Sequence, residues 1–330
     1  MVALDLRRGL TDPKDVAHPL RWGIIGTGRI SEQWVETLAA TEGATVTAVA
    51  AREHKRAEEF ARRNGVARAY GDYAELVAAE DVDIVYVGTI TPLHTEHTLL
   101  ALNAGKHVLC EKPLALNAAD ARTMYEAADA AGVMLQDGMW TRFFPAVEHA
   151  RLIIEEGGIG DVRVVQADFS DPIYSLQFAP LAFGADTRPE QVVAAGTDTR
   201  GAVLSYRSSR LAVLTFPTMD MEFPETTEII GTEGRITLDR HGHCPTRMTL
   251  HDPPSGGVPS RYQTDNAPAP RRVHEYPLPH VVAMRTPYPN QQGFLYQAEA
   301  VHRCVAAGLR QCPQYGKEDS LHAMDLLDQV

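Results

Sequence analysis

The sequence predicts an α/β protein in two parts: a doubly wound parallel sheet in the N-terminal half, followed by an α+β domain with a large, mainly antiparallel sheet. Two observations carry this. Apolar strand-like runs alternate with helical segments five times before Gly132, and Val133 to Gln136 supplies a sixth run, the pattern of parallel strands joined by crossover helices. From residue 161 the pattern changes to successive β-rich runs with short turns between them, such as Ser208-Ser209 and Thr232-Glu233-Gly234, as antiparallel neighbours require. A length of 330 residues suits two domains. We expect an arm over 1–20, a first domain over 21–145 and a second over 146–330.

In chain order, Arg21 to Gly26 is a short apolar strand that ends in the turn Gly26-Thr27-Gly28-Arg29-Ile30-Ser31, and Glu32 to Ala40 has helical composition. Glycines at a strand-to-helix turn let the backbone approach a pyrophosphate, whose charge the helix N-terminus favours. Ser31 stands where a third glycine or alanine is usual, and it is small enough for close packing. The next strand, Thr45 to Ala51, ends without the acid that would bond a ribose 2′-hydroxyl; Arg52 follows, with His54, Lys55 and Arg56 behind it. A guanidinium binds a 2′-phosphate through a fork of donors, so the run reads as a preference for NADP(H). The alternative is that these bases are the polar start of a helix over 55–63. A third strand is expected near Arg68 to Tyr70. A fourth, Ile84 to Gly88, leads to Thr89, Thr91 and His94 on a carboxyl-side loop, where they would touch the cofactor; a helix-capping or core role is the alternative for His94.

His107 to Cys110 then runs as a buried strand into Glu111-Lys112-Pro113. Asn117 followed by Asp120 reads as the capped start of a helix that ends near Gly132. Ligands of an open α/β sheet bind at such strand-to-helix connections. The proline fixes its own backbone angle and lowers the cost of a cis bond, and so aims Lys112. The alternative is a solvated lysine in a turn.

The second half holds β-runs near 161–169, 191–199, 202–207, 211–216, 225–231 and 234–239. Residues 251–290 carry nine of the 21 prolines and should form edge strands and loops. Arg271-Arg272 reads as a solvated pair in a loop. Gln291 to Gly308 and Glu318 to Val330 read as two amphipathic helices. A sheet with helices on one face leaves the other to be covered, which a homodimer through the C-terminal sheet would do.

Composition narrows the function. Forty-three acids against 31 bases give a net charge of -12, which argues against nucleic acid as a partner. No apolar run has the length of a membrane span, and the first 20 residues do not read as a signal peptide. Four cysteines without CxxC spacing suit a reducing compartment, and we expect a cytoplasmic location. His241, His243 and Cys244 lack a fourth ligand at usual spacing, so no metal is expected.

With the segments Ala104 to Pro113, Trp140-Thr141-Arg142-Phe143-Phe144-Pro145, Gly231 to Ile236 and the early Gly26 to Ile30 turn, the chain from Arg21 onward resembles the glucose-fructose oxidoreductase, inositol dehydrogenase and rhizopine catabolism family. It is most similar to the NADP-dependent dihydrodiol and D-xylose dehydrogenase branch. The resemblance implies a Rossmann domain over 21–145, a substrate-binding and dimerisation domain over 146–330, and NADP held by Gly26, Thr27, Gly28, Arg29, Ile30, Arg52, Thr89, Thr91, His94, Glu111, Lys112 and Arg142. It implies that Lys112 lies against the nicotinamide, often beside a cis proline, and that a tyrosine matched here by Tyr174 is the acid-base residue. The chain departs from the family at Phe169-Ser170-Asp171-Pro172, which runs directly into Tyr174 where members usually carry a longer loop with a G-G-x-L-L-D-x-G segment.

These pieces imply an NADP-dependent oxidoreductase that moves a hydride between the nicotinamide and a secondary alcohol of a sugar, polyol or trans-dihydrodiol. A tyrosine with a reference pKa of ~10 is a poor base at neutral pH, and a neighbouring ammonium lowers that value, which makes Lys112 the natural electrostatic partner of Tyr174. A nicotinamide-binding regulator and an inactive paralogue are the alternatives. Retention of Lys112 and Tyr174 favours the enzyme; the short segment before Tyr174 favours the others.

Overall fold

A computed structural model describes residues 20–253, 271–280 and 288–330. By its internal contacts the chain divides into two units, one running to Phe143 and including Leu278–Met324, the other spanning Phe144–Pro277 with Asp325–Val330.

The first unit is built on six parallel strands, β1 (Leu20–Ile25), β2 (Ala44–Ala50), β3 (Arg68–Tyr70), β4 (Ile84–Val87), β5 (His107–Cys110) and β6 (Leu135–Asp137), in the order β3-β2-β1-β4-β5-β6. The order reverses between β1 and β4, and the carboxyl ends of those strands flank the crevice in which such sheets bind ligands. Strands buried on both faces read as continuous apolar runs, and Ile24, Ile25, Val85, Val87 and Leu109 are fully buried. Burying each such side chain contributes roughly 1.5–3 kcal/mol.

The crossover helices are α1 (Arg29–Ala40), α2 (His54–Asn64), α3 (Tyr73–Ala78), α4 (His94–Asn103) and α5 (Ala118–Ala131). The start of α5 follows the sequence signal: the Asn117 side chain accepts from the Asp120 N–H, and Gly132 ends the helix in the left-handed region. By internal contacts Leu278–Met324 falls with the first unit, whereas the sequence places it with the second domain. Helix α9 (Phe294–Ala306) packs on α1 and on the turn Trp140–Phe143. Its His302 accepts from the Trp22 indole N–H at 2.9 Å, and Trp34 stacks on Tyr86 while meeting Phe294 edge-on. The last helix, α10, spans Lys317–Leu327.

In the second unit eight strands form one sheet: β7 (Val162–Asp168), β8 (Gln191–Gly196), β9 (Arg200–Tyr206), β10 (Arg210–Phe216), β11 (Thr227–Gly231), β12 (Arg235–Leu238), β13 (Arg247–His251) and β14 (Arg271–Glu275), ordered β14-β13-β12-β11-β7-β10-β9-β8. Every pairing is antiparallel except β7 with β10, which are joined by a long crossover and run parallel. Helices α6 (Pro145–Glu155), α7 (Pro172–Leu176) and α8 (Phe178–Phe183) pack on one face, over Val165, Ala212, Leu214 and Ile236. β13 is a strand the sequence reading did not list. Arg271 and Arg272, expected in a loop, lie on the edge strand β14, where Arg272 pairs with Asp252 at 2.7 Å. Part of the proline-rich stretch lies outside the described residues.

The sheet's other face is crossed by one row of register partners, Val193, Val203, Val213, Gln166, Glu228, Thr237, Thr249 and Val273. Val193, Val203 and Val273 are exposed at its two ends. No helix among the described residues is long and apolar enough to cross a membrane.

Candidate active site

At the carboxyl ends of β1, β2 and β4 the first unit opens a cleft of about 570 Å³, lined in part by Gly26, Thr27, Gly28, Ile30, Arg52 and Thr89. That volume falls within the ~300–1,000 Å³ typical of small-molecule sites. Gly26 has φ +101°, and a Cβ there would stand 2.9 Å from the Gly88 carbonyl oxygen, so only glycine lets the two strand ends approach. Gly28 is the N-cap of α1 and offers no side chain to its first N–H groups, which leaves them for an anion. Ser31 is fully buried, with its hydroxyl 3.4 Å from the Gly88 carbonyl oxygen, which is the close helix-to-strand packing expected of a small residue. These features fit a dinucleotide: a bare backbone turn for the pyrophosphate, and Arg52 just after β2 with Arg56 in the first turn of α2, both exposed, for a phosphate on the ribose.

Arg29, Thr91, His94, Glu111, Lys112 and Arg142 are not part of the cleft lining. Arg29 is exposed, its guanidinium 4.7 Å from the centre of the Tyr288 ring. Thr91 opens a short 3-10 turn. His94 is buried behind the cleft, each ring nitrogen 3.0 Å from a carbonyl oxygen, one of Pro113 and the other of Thr89. It ties the β4 loop to the turn after β5, the core role weighed as the alternative. Arg142 is buried against Asp319 and over the Tyr315 ring. The sequence reading missed Tyr73, Glu96 and His97, which line the cleft from α3 and α4. His97 bonds the Thr89 hydroxyl and packs on Tyr73; helical periodicity alone marks such positions as ordinary helix surface.

The turn after β5 is organised from beneath. Glu111 is buried, accepts from the Tyr86 hydroxyl at 2.6 Å and takes the Lys112 N–H at 3.2 Å. Burial raises its pKa, against the Tyr86 hydrogen bond and the Lys112 charge. The Lys112–Pro113 peptide is cis and Lys112 itself is half-buried.

In the second unit Asp171 caps α7 by accepting from the Ile173 N–H at 3.4 Å, and Tyr174 follows, mostly buried. Its ring meets Phe169 edge-on at 4.9 Å and the His243 ring at 5.3 Å. The chain passes from β7 into α7 through Phe169, Ser170 and the capping Asp171 alone, and the Phe169 N–H is held by the Thr215 carbonyl. His241 bonds the Glu225 carboxylate, and His243 contacts the Cys244 thiol at 3.3 Å. Among the described residues no cluster of three or more such side chains is set to hold a metal ion.

The profile of a family described as an oxidoreductase family with an NAD-binding Rossmann fold matches residues 20–139. Over 94% of its length the chain is 35% identical to the trans-1,2-dihydrobenzene-1,2-diol dehydrogenase of Danio rerio, 96% of which is covered. That alignment spans 341 positions, more than the whole chain, so the relative carries residues where this chain has none. Among solved structures, a 3-ketoreductase from Actinomadura kijaniata in complex with NADP is 26% identical with a TM-score of 0.73, covering 95% of this chain and 97% of that one. A levoglucosan dehydrogenase in complex with NADH and levoglucosan shares the fold, with a TM-score of 0.77 at 20% identity over 94% of this chain and 96% of that one. With the cleft, the Glu111-Lys112-Pro113 turn and a full-length relative above 30% identity, the chain belongs to the glucose-fructose oxidoreductase, inositol dehydrogenase and rhizopine catabolism family of oxidoreductases.

Proposed function

We propose that this oxidoreductase is an NADP-dependent dehydrogenase that oxidises a secondary alcohol of a trans-dihydrodiol or a sugar. The observation that carries the reading is the near-complete match to trans-dihydrodiol dehydrogenases, which extends through both units. The nicotinamide, when bound, supplies the hydride acceptor. The turn from Gly26 to Ile30 would hold the pyrophosphate, with Thr89 beside it. Tyr174 is proposed to take the hydroxyl proton, and Lys112 to hold the alcohol and favour the phenolate. Glu111 and His94 then serve by fixing the Lys112 turn, and Arg142 by bracing the segment after β6.

The preference for NADP rests on Arg52, supported by Arg56, at the end of β2, where an acid would serve NAD. Wild type should bind NADPH roughly ten- to hundredfold more tightly than NADH, the size of a charge-assisted contact, and Arg52→Ala should remove most of that difference. Fluorescence titration of both cofactors measures it; equal affinities in wild type would end the NADP reading.

A homodimer through the open sheet face is proposed from the row of valines and polar side chains crossing all eight strands. Light scattering should give twice the 36.2 kDa of one chain. Val203→Arg, which puts a charge in the row, should yield folded monomer. A wild-type monomer at micromolar concentration would refute the interface. Four free cysteines, all buried, support a cytoplasmic location.

Nicotinamide binding without turnover is favoured as a second reading by the missing residues relative to the Danio rerio dehydrogenase. A protein that binds NADPH but oxidises neither trans-1,2-dihydrobenzene-1,2-diol, D-xylose nor D-glucose would establish it over the dehydrogenase.

A further inference from the structure

Behind the Lys112 turn lies a second acid that the reaction as described does not use. Asp137 ends β6, is 1% exposed, and pairs in register with Cys110, the residue before Glu111. The contact is close: the Gly138 N–H donates to the Cys110 carbonyl at 2.7 Å, and a Cβ on Gly138 would stand 3.0 Å from the Glu111 Cα and 3.2 Å from the Lys112 nitrogen. One Asp137 oxygen accepts from the Ser320 hydroxyl at 2.6 Å, and the Met139 backbone N–H is the carboxylate's other donor. Its backbone carbonyl is fixed by the Gln136 and Gln297 amides. A carboxyl held this firmly and so far from water is costly to ionise unless a nearby opposite charge offsets the burial.

We propose that Asp137 is a positioning residue for Lys112: its ionised carboxylate, held by Ser320 behind the Glu111-Lys112-Pro113 turn, orients the lysine's ammonium, so that full turnover requires Asp137 ionised. The proposal rests on the reading that Lys112 takes part in the reaction.

The charges around the group set its direction. Glu111 faces it from the turn as a like charge and Lys112 as an opposite one, both within electrostatic reach. Cys110 on β5, Tyr125 on α5 and Tyr315 before α10 are buried neutral groups that its charge raises further. Arg142 and Asp319 meet beside Tyr315. Burial pushes the Asp137 carboxyl up to about 7, with the Ser320 hydrogen bond and Lys112 opposing and Glu111 adding. Two desolvated carboxyls within electrostatic reach of each other do not ionise independently, and the Glu111 charge adds to the rise at Asp137. Asp137 therefore keeps its proton in mildly acidic solution and loses it as pH rises through neutrality. Its negative charge then attracts and orients the Lys112 ammonium, so turnover rises over the same interval.

The pH–rate profile of the intact protein with NADP and trans-1,2-dihydrobenzene-1,2-diol should show a rise near neutrality that Asp137→Asn removes. The variant's rate above that rise should be lower by roughly tenfold, the size of one pKa unit. NADPH affinity should be unchanged, and any limb due to Tyr174 should stay in place. Ser320→Ala keeps the acid but removes its donor, so the same rise should move to higher pH; this variant decides the matter if Asp137→Asn does not fold. Carbon-13 NMR of labelled aspartate reads the ionisation without activity, as a carboxyl titrating near neutrality that the Asn variant lacks. A rise unmoved in either folded variant overturns the proposal. If that happens while Lys112→Met abolishes turnover, the proposal falls alone. If Lys112→Met turns over like wild type, the reading beneath it falls with it.

Discussion

Tyr174→Phe is expected to lower turnover by roughly 10²–10⁴-fold, the usual share of a positioned proton transfer, while NADPH affinity stays at its wild-type value. The split follows from where the residue sits. The cleft for the dinucleotide is lined by the first unit, whereas Tyr174 belongs to α7 in the second. If Tyr174 takes the hydroxyl proton as proposed, losing the phenol removes that acceptor and leaves the residues lining the cleft unchanged. The ring itself is held by packing on Phe169 and beside His243, contacts that phenylalanine keeps. A fall in turnover from this variant cannot then be charged to misfolding if its thermal transition matches wild type. Measurement of NADP reduction with trans-1,2-dihydrobenzene-1,2-diol and D-xylose, together with NADPH titration, checks both halves. A Phe variant with wild-type turnover would remove Tyr174 from the reaction. A variant that loses NADPH binding would reassign it to the cofactor.

Much of the fold was legible because each half writes its burial in a different period. Parallel strands covered on both faces leave runs such as Ile84 to Val87, and one-sided strands leave alternation such as that of Arg235 to Leu238. β13 escaped although Arg247–His251 alternates polar and apolar residues, because it is short and sits between a histidine-containing turn and the proline-rich stretch. The placement of residues 278–324 was not legible at all. Periodicity shows that Phe294–Ala306 has an apolar face, but only tertiary packing shows that Trp34 and the Trp140–Phe143 turn are what cover it.

The candidate site divides along similar lines. Backbone requirements leave residue-type signatures, so Gly26 and the cis-proline turn could be read directly. Side-chain direction leaves none. Glu111 and Arg142 sit inside recognisable motifs, yet both turn inward, one to Tyr86 and one to Asp319. Asp137 carries no local signal, since a lone acid after Leu135 and Gln136 reads as the end of a strand; its environment comes from Ser320, distant in sequence.

Lys112→Met should lower turnover by roughly 10²–10³-fold, the effect of removing one preorganised electrostatic group from a site of developing charge, and should move the pH profile as well. Met retains the length and the apolar stem, so the substitution removes little besides the ammonium. The turn that carries the residue does not depend on that charge: Glu111 is held by Tyr86 and by the Lys112 backbone N–H, and His94 is anchored at the Pro113 carbonyl. The fold should therefore survive. If the ammonium favours the Tyr174 phenolate, its loss raises the phenol's pKa, and the limb on which rate increases with pH must shift to higher pH. If Lys112 only anchors substrate, KM should rise while the limb stays where it is. Combining the variant with Tyr174→Phe separates the cases. Two residues acting on one proton transfer give a double variant little worse than the poorer single one, whereas independent contributions multiply. A multiplicative double variant with an unmoved limb would show that Lys112 acts apart from Tyr174.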